Sequence, residues 1–144
     1  MGKLTGEYEH AIDEKGRLTI PAKLRPELGE DVFITRGLDG CLFVYPQEAW
    51  RALVEKVASL PLARRDARLF SRMIRSGVEC KLDRYGRILL PAPLRKHAAI
   101  EGKAVIVGVD SRLEIWSKER WLKLTAEMEK KSSQFAEQLE GLRV

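Results

Sequence analysis

The sequence predicts a mixed α+β fold, mainly β, in which two copies of one unit interlock about a pseudo-twofold axis into a single small barrel. Three observations lead to this fold. Residues 13–25, DEKGRLTIPAKLR, recur at 83–95 as DRYGRILLPAPLR with seven identical positions, where ordinary composition gives roughly one match by chance. Short alternating or β-branched runs with turn signals surround each copy. The chain has 144 residues, 44% of them hydrophobic, which is enough for one buried core.

The first copy lies in a unit that alternates strands, turns and helices. Its DEKG segment carries turn chemistry, with Gly16 free to adopt a positive φ. Pro21 suits the start of a short helix, which Pro26 must shorten or kink, and Gly29 suits its end. The predicted elements are a strand over 7–12, an extended run over 18–20, the short helix over 21–28, two strands over 32–35 and 41–45 joined by GLDG, and a helix over 46–59.

The second copy repeats this order. Ser117 can cap a long helix, with Glu119 in its first turn. Trp50 and Trp121 fall at matching positions of the two units, and burial is predicted for both. The predicted elements are an alternating strand over 78–82, the DRYG turn, a run over 88–90, a short helix from Pro91, strands over 104–109 and 113–116, and the long helix to about residue 139.

This order divides the chain into four segments. The two units span 6–59 and 77–124, an Arg-rich helical linker spans 60–76, and the C-terminal helix and a loose GLRV tail span 125–144. Four short strands rarely enclose a core alone, so the two units are expected to share one barrel.

The repeated turn carries the chemistry. Each copy reads D-x-x-G-R, so that Asp13 precedes Arg17, and Asp83 precedes Arg87, by four residues across a tight turn. A carboxylate at that distance can fix the guanidinium fork, and a fixed guanidinium suits phosphates or guanine edges. The alternative is that both pairs only stiffen their turns. The two roles are compatible.

Catalysis has one candidate arrangement. Asp13 and Asp83 on related turns of a duplicated barrel could form an aspartic dyad that shares a proton. The motifs Asp-Thr-Gly and Asp-Ser-Gly are absent, and each aspartate has a cation close in sequence that would lower its pKa instead. No nucleophile triad or nucleotide-binding glycine pattern occurs, so we expect a protein that is not an enzyme and uses no cofactor.

Other residue types give little sign of a further site. Cys41 and Cys80 lie in apolar surroundings without CxxC spacing, which predicts buried, reduced thiols. His10 and His97 are isolated, so no metal site is expected. Without a long apolar run or a signal peptide, the sequence indicates a cytoplasmic protein without membrane spans. The net charge of +5 is compatible with nucleic acid but not diagnostic.

The segments GEYEHAIDEKGRLTIPAKLR, TRGLDGCLFVYPQEAW and LEIW with SKERW, together with the second D-x-x-G-R, resemble the MraZ family, relatives of the SpoVT/AbrB transcription factors. The resemblance runs from Gly6 to about Trp121. It implies two AbrB-like units woven into a swapped-hairpin barrel. It also implies a sequence-specific, nucleoid-associated DNA-binding regulator that assembles as a ring-shaped homo-oligomer at the promoter repeats of the division and cell-wall gene cluster.

The resemblance also implies which residues contact double-stranded DNA. The family's motif maps onto both turns, where Lys15 in the first copy is replaced by Tyr85 in the second. The implied DNA-binding residues are Asp13, Lys15, Gly16, Arg17, Asp83, Arg84, Gly86 and Arg87. The alternative function is an antitoxin-like DNA-binding protein with a protein partner, for which the C-terminal helix is the candidate surface.

The Arg-rich linker holds five arginines against one aspartate between residues 61 and 76. Arg68, Arg72 and Arg75 share one face at helical spacing. This face either pairs with acids of a neighbouring protomer or adds phosphate contacts.

Overall fold

The computed structural model describes residues 3–142. The strands are β1 (Glu7–Ala11), β2 (Arg17–Thr19), β3 (Asp31–Arg36), β4 (Leu42–Pro46), β5 (Val78–Lys81), β6 (Arg87–Leu89), β7 (Lys103–Val109) and β8 (Arg112–Ser117). The helices are α1 (Arg25–Leu28), α2 (Gln47–Ala58), α3 (Arg65–Arg75), α4 (Ala92–Ala98) and α5 (Lys118–Gln138), followed by a 3-10 turn over Glu140–Leu142. The mixed α+β fold, built on antiparallel strands and ending in a long C-terminal helix, is therefore confirmed.

The two units exchange their first strands. A six-stranded antiparallel sheet has the order β1-β7-β8-β4-β3-β5, so β1 of the first unit pairs with β7 of the second, and β5 of the second pairs with β3 of the first. The remaining strands, β2 and β6, pair with each other in a two-stranded ribbon. Because β1 leads through its turn into β2, and β5 into β6, the ribbon closes the sheet into a barrel.

The pseudo-twofold axis passes through the middle of two ladders. In the ribbon, Leu18 pairs with Ile88, its counterpart in the repeat. At the centre of the sheet, Phe43 of β4 pairs with Glu114 of β8. Corresponding positions of the two units thus face each other at both places, which is the arrangement expected of a duplicated chain.

Two apolar clusters hold the fold together. The larger fills the barrel, where Leu18, Ile34, Ile88 and Ile106 are completely buried. The smaller lies between the sheet and the helices and includes Trp116 and Trp121 beneath the start of α5. Truncating a fully buried leucine or isoleucine to alanine typically costs about 2–5 kcal/mol. The ribbon is therefore strongly anchored from its inner side.

Three expectations need correction. The helix predicted from Pro21 begins only at Arg25. Because Pro26 has no N–H to donate to Ala22, the preceding residues form hydrogen-bonded turns instead. Trp50 is only half-buried, since it stacks on the Phe33 ring at 3.7 Å near the sheet surface.

Cys80 is also half-buried, because its strand β5 lies at the edge of the sheet, whereas Cys41 is completely buried. Both thiols are free. The loose tail predicted for GLRV falls partly on residues 143 and 144, which lie outside the described residues.

Helix α5 packs against the barrel only at its start. The Ser117 hydroxyl accepts the N–H of Arg120 at 3.1 Å, which is the predicted N-cap. Trp121 is buried, but every described side chain from Ala126 to Gly141 is exposed. Among the helices of residues 3–142, none combines the length and apolar character that a bilayer crossing requires.

Candidate nucleic-acid interface

The first D-x-x-G-R turn is organised by one carboxylate. Asp13 Oδ1 accepts the backbone N–H of Lys15 at 3.0 Å and that of Arg17 at 2.8 Å. Its Oδ2 accepts the Arg17 side-chain Nε at 2.6 Å. Gly16 closes the turn with a φ of 88°, and its N–H donates to the Asp13 carbonyl. The left-handed conformation explains why a glycine stands at this position.

The second turn has the same bonds. Asp83 Oδ1 accepts the N–H of Tyr85 and that of Arg87, each at 2.9 Å. Its Oδ2 accepts Arg87 Nε at 2.8 Å. Gly86 has a φ of 75°. The predicted contact between aspartate and arginine is thus present twice, with the same atoms in each copy.

Both carboxylates are held in the ionised form. Hydrogen bonds from the Arg17 backbone and side chain lower the pKa of Asp13, and those of Arg87 lower the pKa of Asp83. A proton-sharing dyad requires the opposite, one raised pKa between two neighbouring acids. The hydrogen bonds of the two turns therefore give the hypothesis of a catalytic aspartic dyad no support. Because these pairs are exposed, water screens them, and they orient the arginines more than they stabilise the fold.

The ribbon places both arginines on one face. The central pair of the ribbon is Leu18 and Ile88, whose side chains point into the core. On one side of it Arg17 pairs with Leu89, and on the other Thr19 pairs with Arg87. Side chains alternate along a strand, so Arg17, Thr19, Arg87 and Leu89 share the outward face. Arg17 and Arg87 are diagonal neighbours, about 7–8 Å apart at the backbone.

The second turn carries an additional stack. Arg84 donates from Nη2 to the Tyr85 hydroxyl at 2.8 Å, and its guanidinium lies 4.9 Å from the ring centroid. The Arg87 guanidinium lies 5.0 Å from the same centroid. In the first copy Lys15 occupies the Tyr85 position and is exposed. The two turns therefore share a backbone but present different side chains.

Sequence reasoning missed two further arginines. Arg25 is the first residue of α1 and Arg95 lies in α4. Each is half-buried beside the turn glycine of the other unit. The available signal was that both stand at the last identical position of the repeat. Their contact across units could not be foreseen, because it depends on how the units interlock.

Leu89 was also missed. It is 51% exposed, although it continues an apolar run in the sequence. The ribbon register explains the exposure, since Leu89 faces outward opposite Arg17.

The Arg-rich segment forms helix α3, which ends before Gly77. Arg68 donates from Nη1 to the carbonyls of Leu62 at 2.9 Å and Ala63 at 3.1 Å, and Arg64 pairs with Asp66 at 2.8 Å. Part of this basic segment therefore organises its own N-terminal loop.

Comparisons with known proteins agree with the duplicated architecture. A family model described as "MraZ protein, putative antitoxin-like" matches the chain twice, over residues 4–73 and 73–142. A protein of Heliobacterium modesticaldum named Transcriptional regulator MraZ is 55% identical over 135 residues, covering 93% of this chain and 94% of that protein. Proteins of the same name from Limosilactobacillus reuteri (53% over 137 residues; 94% and 96%) and Thermoanaerobacter sp. (49% over 142 residues; 98% and 99%) are similarly close. The chain belongs to the MraZ family.

Proposed function

We propose that the chain is a transcriptional regulator that binds double-stranded DNA through the outward face of the β2–β6 ribbon. One observation carries the proposal: Arg17 and Arg87 lie on the same face, and each is fixed by its own aspartate. The names of the relatives support regulation of transcription.

The ribbon has dimensions that suit the major groove, which admits a two-stranded β-ribbon. In both arginines the aspartate accepts only Nε, so this bond leaves the two Nη groups able to donate to another acceptor. Two parallel N–H donors match the O6 and N7 acceptors of guanine, and each such contact discriminates by about 1–3 kcal/mol. The same donors also suit a phosphate.

The proposed roles differ within each turn. Asp13 and Asp83 orient the arginines, and Gly16 and Gly86 allow the tight backbone. Lys15 and Arg84 add positive charge near the groove, where they would contact phosphates and position the protein without reading sequence. Tyr85, stacked beside two guanidinium groups, would pack on a sugar.

Substituting each arginine separately tests the site. We expect Arg17→Ala and Arg87→Ala each to weaken binding to operator DNA by about five- to 150-fold, the equivalent of one bidentate contact. Arg51→Ala is a matched control, because Arg51 is exposed on α2 and its loss changes the net charge equally. If operator affinity survives both substitutions in the ribbon, the site assignment is wrong.

The family resemblance supports a more specific role. We propose that the DNA is the promoter of the division and cell-wall gene cluster, and that the protein acts in the cytoplasm on the nucleoid as a ring-shaped homo-oligomer. One protomer offers few base contacts, so binding to several repeated boxes would gain affinity through effective concentration. A footprint on that upstream DNA should cover repeated boxes. Equal affinity for single-box and multi-box DNA in a gel shift would contradict the avidity.

We retain the division into units 6–59 and 77–124, the linker 60–76 and the C-terminal segment 125–144. The linker has two candidate roles, pairing with acids of a neighbouring protomer or contacting phosphates. Charge reversal at Arg68 and Arg72 separates them. Loss of the oligomer on a sizing column supports the first role, and an intact oligomer with a weaker salt dependence of DNA binding supports the second.

The second candidate function is an antitoxin-like DNA-binding protein with a protein partner. The family description, "putative antitoxin-like", and the exposed outer half of α5 favour it, since Met128, Phe135 and Leu139 are exposed there. A specific partner should then co-purify with the full chain and be lost when α5 is shortened. If shortening α5 changes only the oligomeric state, this candidate fails.

A further inference from the structure

Each D-x-x-G-R turn touches an arginine of the other unit. A side chain placed on Gly86 would have its Cβ 2.6 Å from Nη2 of Arg25, and one on Gly16 would lie 2.8 Å from Nε of Arg95. Real Cβ atoms do not approach other atoms so closely. A side chain at either glycine would displace the arginine, and the positive φ of both residues independently favours glycine.

Each of these two arginines is also hydrogen-bonded to a carbonyl of its own unit. Arg25 donates from Nε to the Ile20 carbonyl at 2.8 Å, and Arg95 donates from Nε to the Leu90 carbonyl at 2.9 Å. Both side chains are half-buried, so their positions are more restricted than those of a surface arginine. Each arginine is thus bonded to its own unit while its guanidinium lies against the glycine of the other.

The backbone strengthens the same connection. The N–H of Ile20 donates to the Gly86 carbonyl at 2.9 Å, and the N–H of Leu90 donates to the Gly16 carbonyl at 2.8 Å. The residue that follows β2 therefore holds the second turn, and the residue that follows β6 holds the first, each by a backbone hydrogen bond. The carbonyl of the same residue accepts the arginine side chain. The arrangement occurs twice with the same atoms, as the pseudo-twofold axis requires.

We propose that Arg25 and Arg95 are positioning residues that act on the opposite unit: Arg25 holds the turn that carries Arg87, and Arg95 holds the turn that carries Arg17. The proposal rests on the proposed DNA-binding function of the turns. Each turn contains a buried glycine in a left-handed conformation, and a residue without a Cβ has more backbone conformations open to it than any other. A packed guanidinium limits that freedom, which keeps the DNA-contacting arginines preorganised.

A double-mutant cycle distinguishes action across the units from action within one unit. Arg25→Lys keeps the charge but loses the planar fork and the Nε donor. We expect it alone to weaken operator binding about five- to tenfold, part of the value of one bidentate contact. In a protein that already carries Arg87→Lys, adding Arg25→Lys should reduce operator affinity little further. In a protein that carries Arg17→Lys, adding Arg25→Lys should reduce operator affinity by its full factor of about five- to tenfold. Arg95→Lys should show the mirror pattern.

Two results would overturn the proposal. If Arg25→Lys reduces operator affinity by its full factor in both backgrounds, its side chain contacts DNA directly. If the reduction becomes smaller by the same amount in both backgrounds, its role is generally structural. Thermal unfolding controls for loss of the fold.

A second measurement is independent of DNA binding and therefore of the proposed function. In the free protein, Arg25→Lys should shift the backbone amide resonance of Gly86 and increase its hydrogen exchange much more than that of Gly16. Arg95→Lys should do the reverse. If both glycines respond alike, the inference fails even when the turns bind DNA. If the ribbon arginines prove unnecessary for DNA binding while the glycine pattern holds, the proposed function fails and the contact across the units remains.

Discussion

Leu89 lies directly opposite Arg17 in the β2–β6 ladder and exposes half of its surface on the same face. At the corresponding position of the other unit Thr19 lies opposite Arg87. The two arginines therefore have different neighbours, one aliphatic and one hydroxyl. In the proposed DNA complex, an aliphatic side chain beside an arginine in the major groove suits the thymine methyl group, which only that groove displays.

Replacing Leu89 tests this asymmetry. The wild-type protein should lose affinity, by about threefold or more, when a thymine of the box is replaced by deoxyuridine, because the methyl group then disappears. Leu89→Ser, which has no methyl group to offer, should bind both DNAs equally. Thr19→Ser serves as the control, since it changes the matching position without affecting Leu89. Retained sensitivity to the methyl group in Leu89→Ser would show that another side chain contacts it.

The aspartates allow orientation to be separated from charge. Asp13→Asn and Asp83→Asn each remove one negative charge, which makes the net charge of the protein more positive by one. Attraction to any DNA should therefore rise slightly. Operator affinity should nevertheless fall, because the arginine loses the carboxylate that fixes it. Competition binding with operator and random DNA measures both effects.

Glu55→Gln is the matched control for charge. Glu55 is exposed on α2, a helix that packs on β3, β4 and α3. It should raise binding to operator and random DNA alike. An equal rise in the Asp13 variant would contradict the orienting role.

His97 predicts a pH dependence of stability. Burial, and then the charges of Arg36 and Arg120, lower the pKa of His97 below 6.5. The unfolded chain therefore takes up a proton at a higher pH than the folded chain does. The free energy of unfolding should fall as the pH drops from 6.5 toward the folded-state pKa. Denaturant unfolding between pH 7.5 and 5.5 measures this slope, which His97→Gln should reduce. An unchanged slope in that variant would assign the effect to other groups.

The two thiols should react at different rates. Burial and the charge of Glu114 raise the pKa of Cys41 to about 12, so its reactive thiolate is scarce at pH 8. Cys80 is half-buried on an edge strand. A thiol reagent should show one fast reaction that Cys80→Ser removes and Cys41→Ser leaves. Rapid labelling of Cys41 in the native protein would contradict its burial.

The outer half of α5 should be dispensable for the barrel. Ending the chain after Thr125 removes described side chains that are all exposed, while the buried Trp121 remains. The thermal unfolding midpoint of the barrel should change little at a protein concentration where the full chain is monomeric. A large loss of stability there would show that the exposed half packs on the fold.

The sequence predicted the elements of the barrel well because strands and turns leave local signals. The alternation before each turn, the GLDG hairpin and the Ser117 cap all appear where expected. The start of α1 was predicted four residues too early. Whether the residues ahead of Pro26 form a turn or a helix depends on one hydrogen bond, which Pro26 has no N–H to donate.

The candidate site was only partly predictable. Asp13 to Arg17 is a contact within four residues, and local chemistry sufficed to foresee it. The packing of Arg25 against Gly86 joins residues sixty-one positions apart, and nothing near either residue indicates it. The outward face of Leu89 required the ladder register, which a short apolar run does not define.

The exchange of β1 and β5 between the units has an evolutionary consequence. A barrel made from two separate identical chains would have to keep its two turns the same, since one coding sequence would specify both. Joining the units in one chain removes that restriction, while the exchanged strands keep either unit from forming its sheet alone. The Lys15 and Tyr85 positions, and the Thr19 and Leu89 positions, have already diverged. Selection can therefore adjust the two halves of the proposed DNA-contacting face independently, as it does in a heterodimer, without the need for two genes to remain matched in expression.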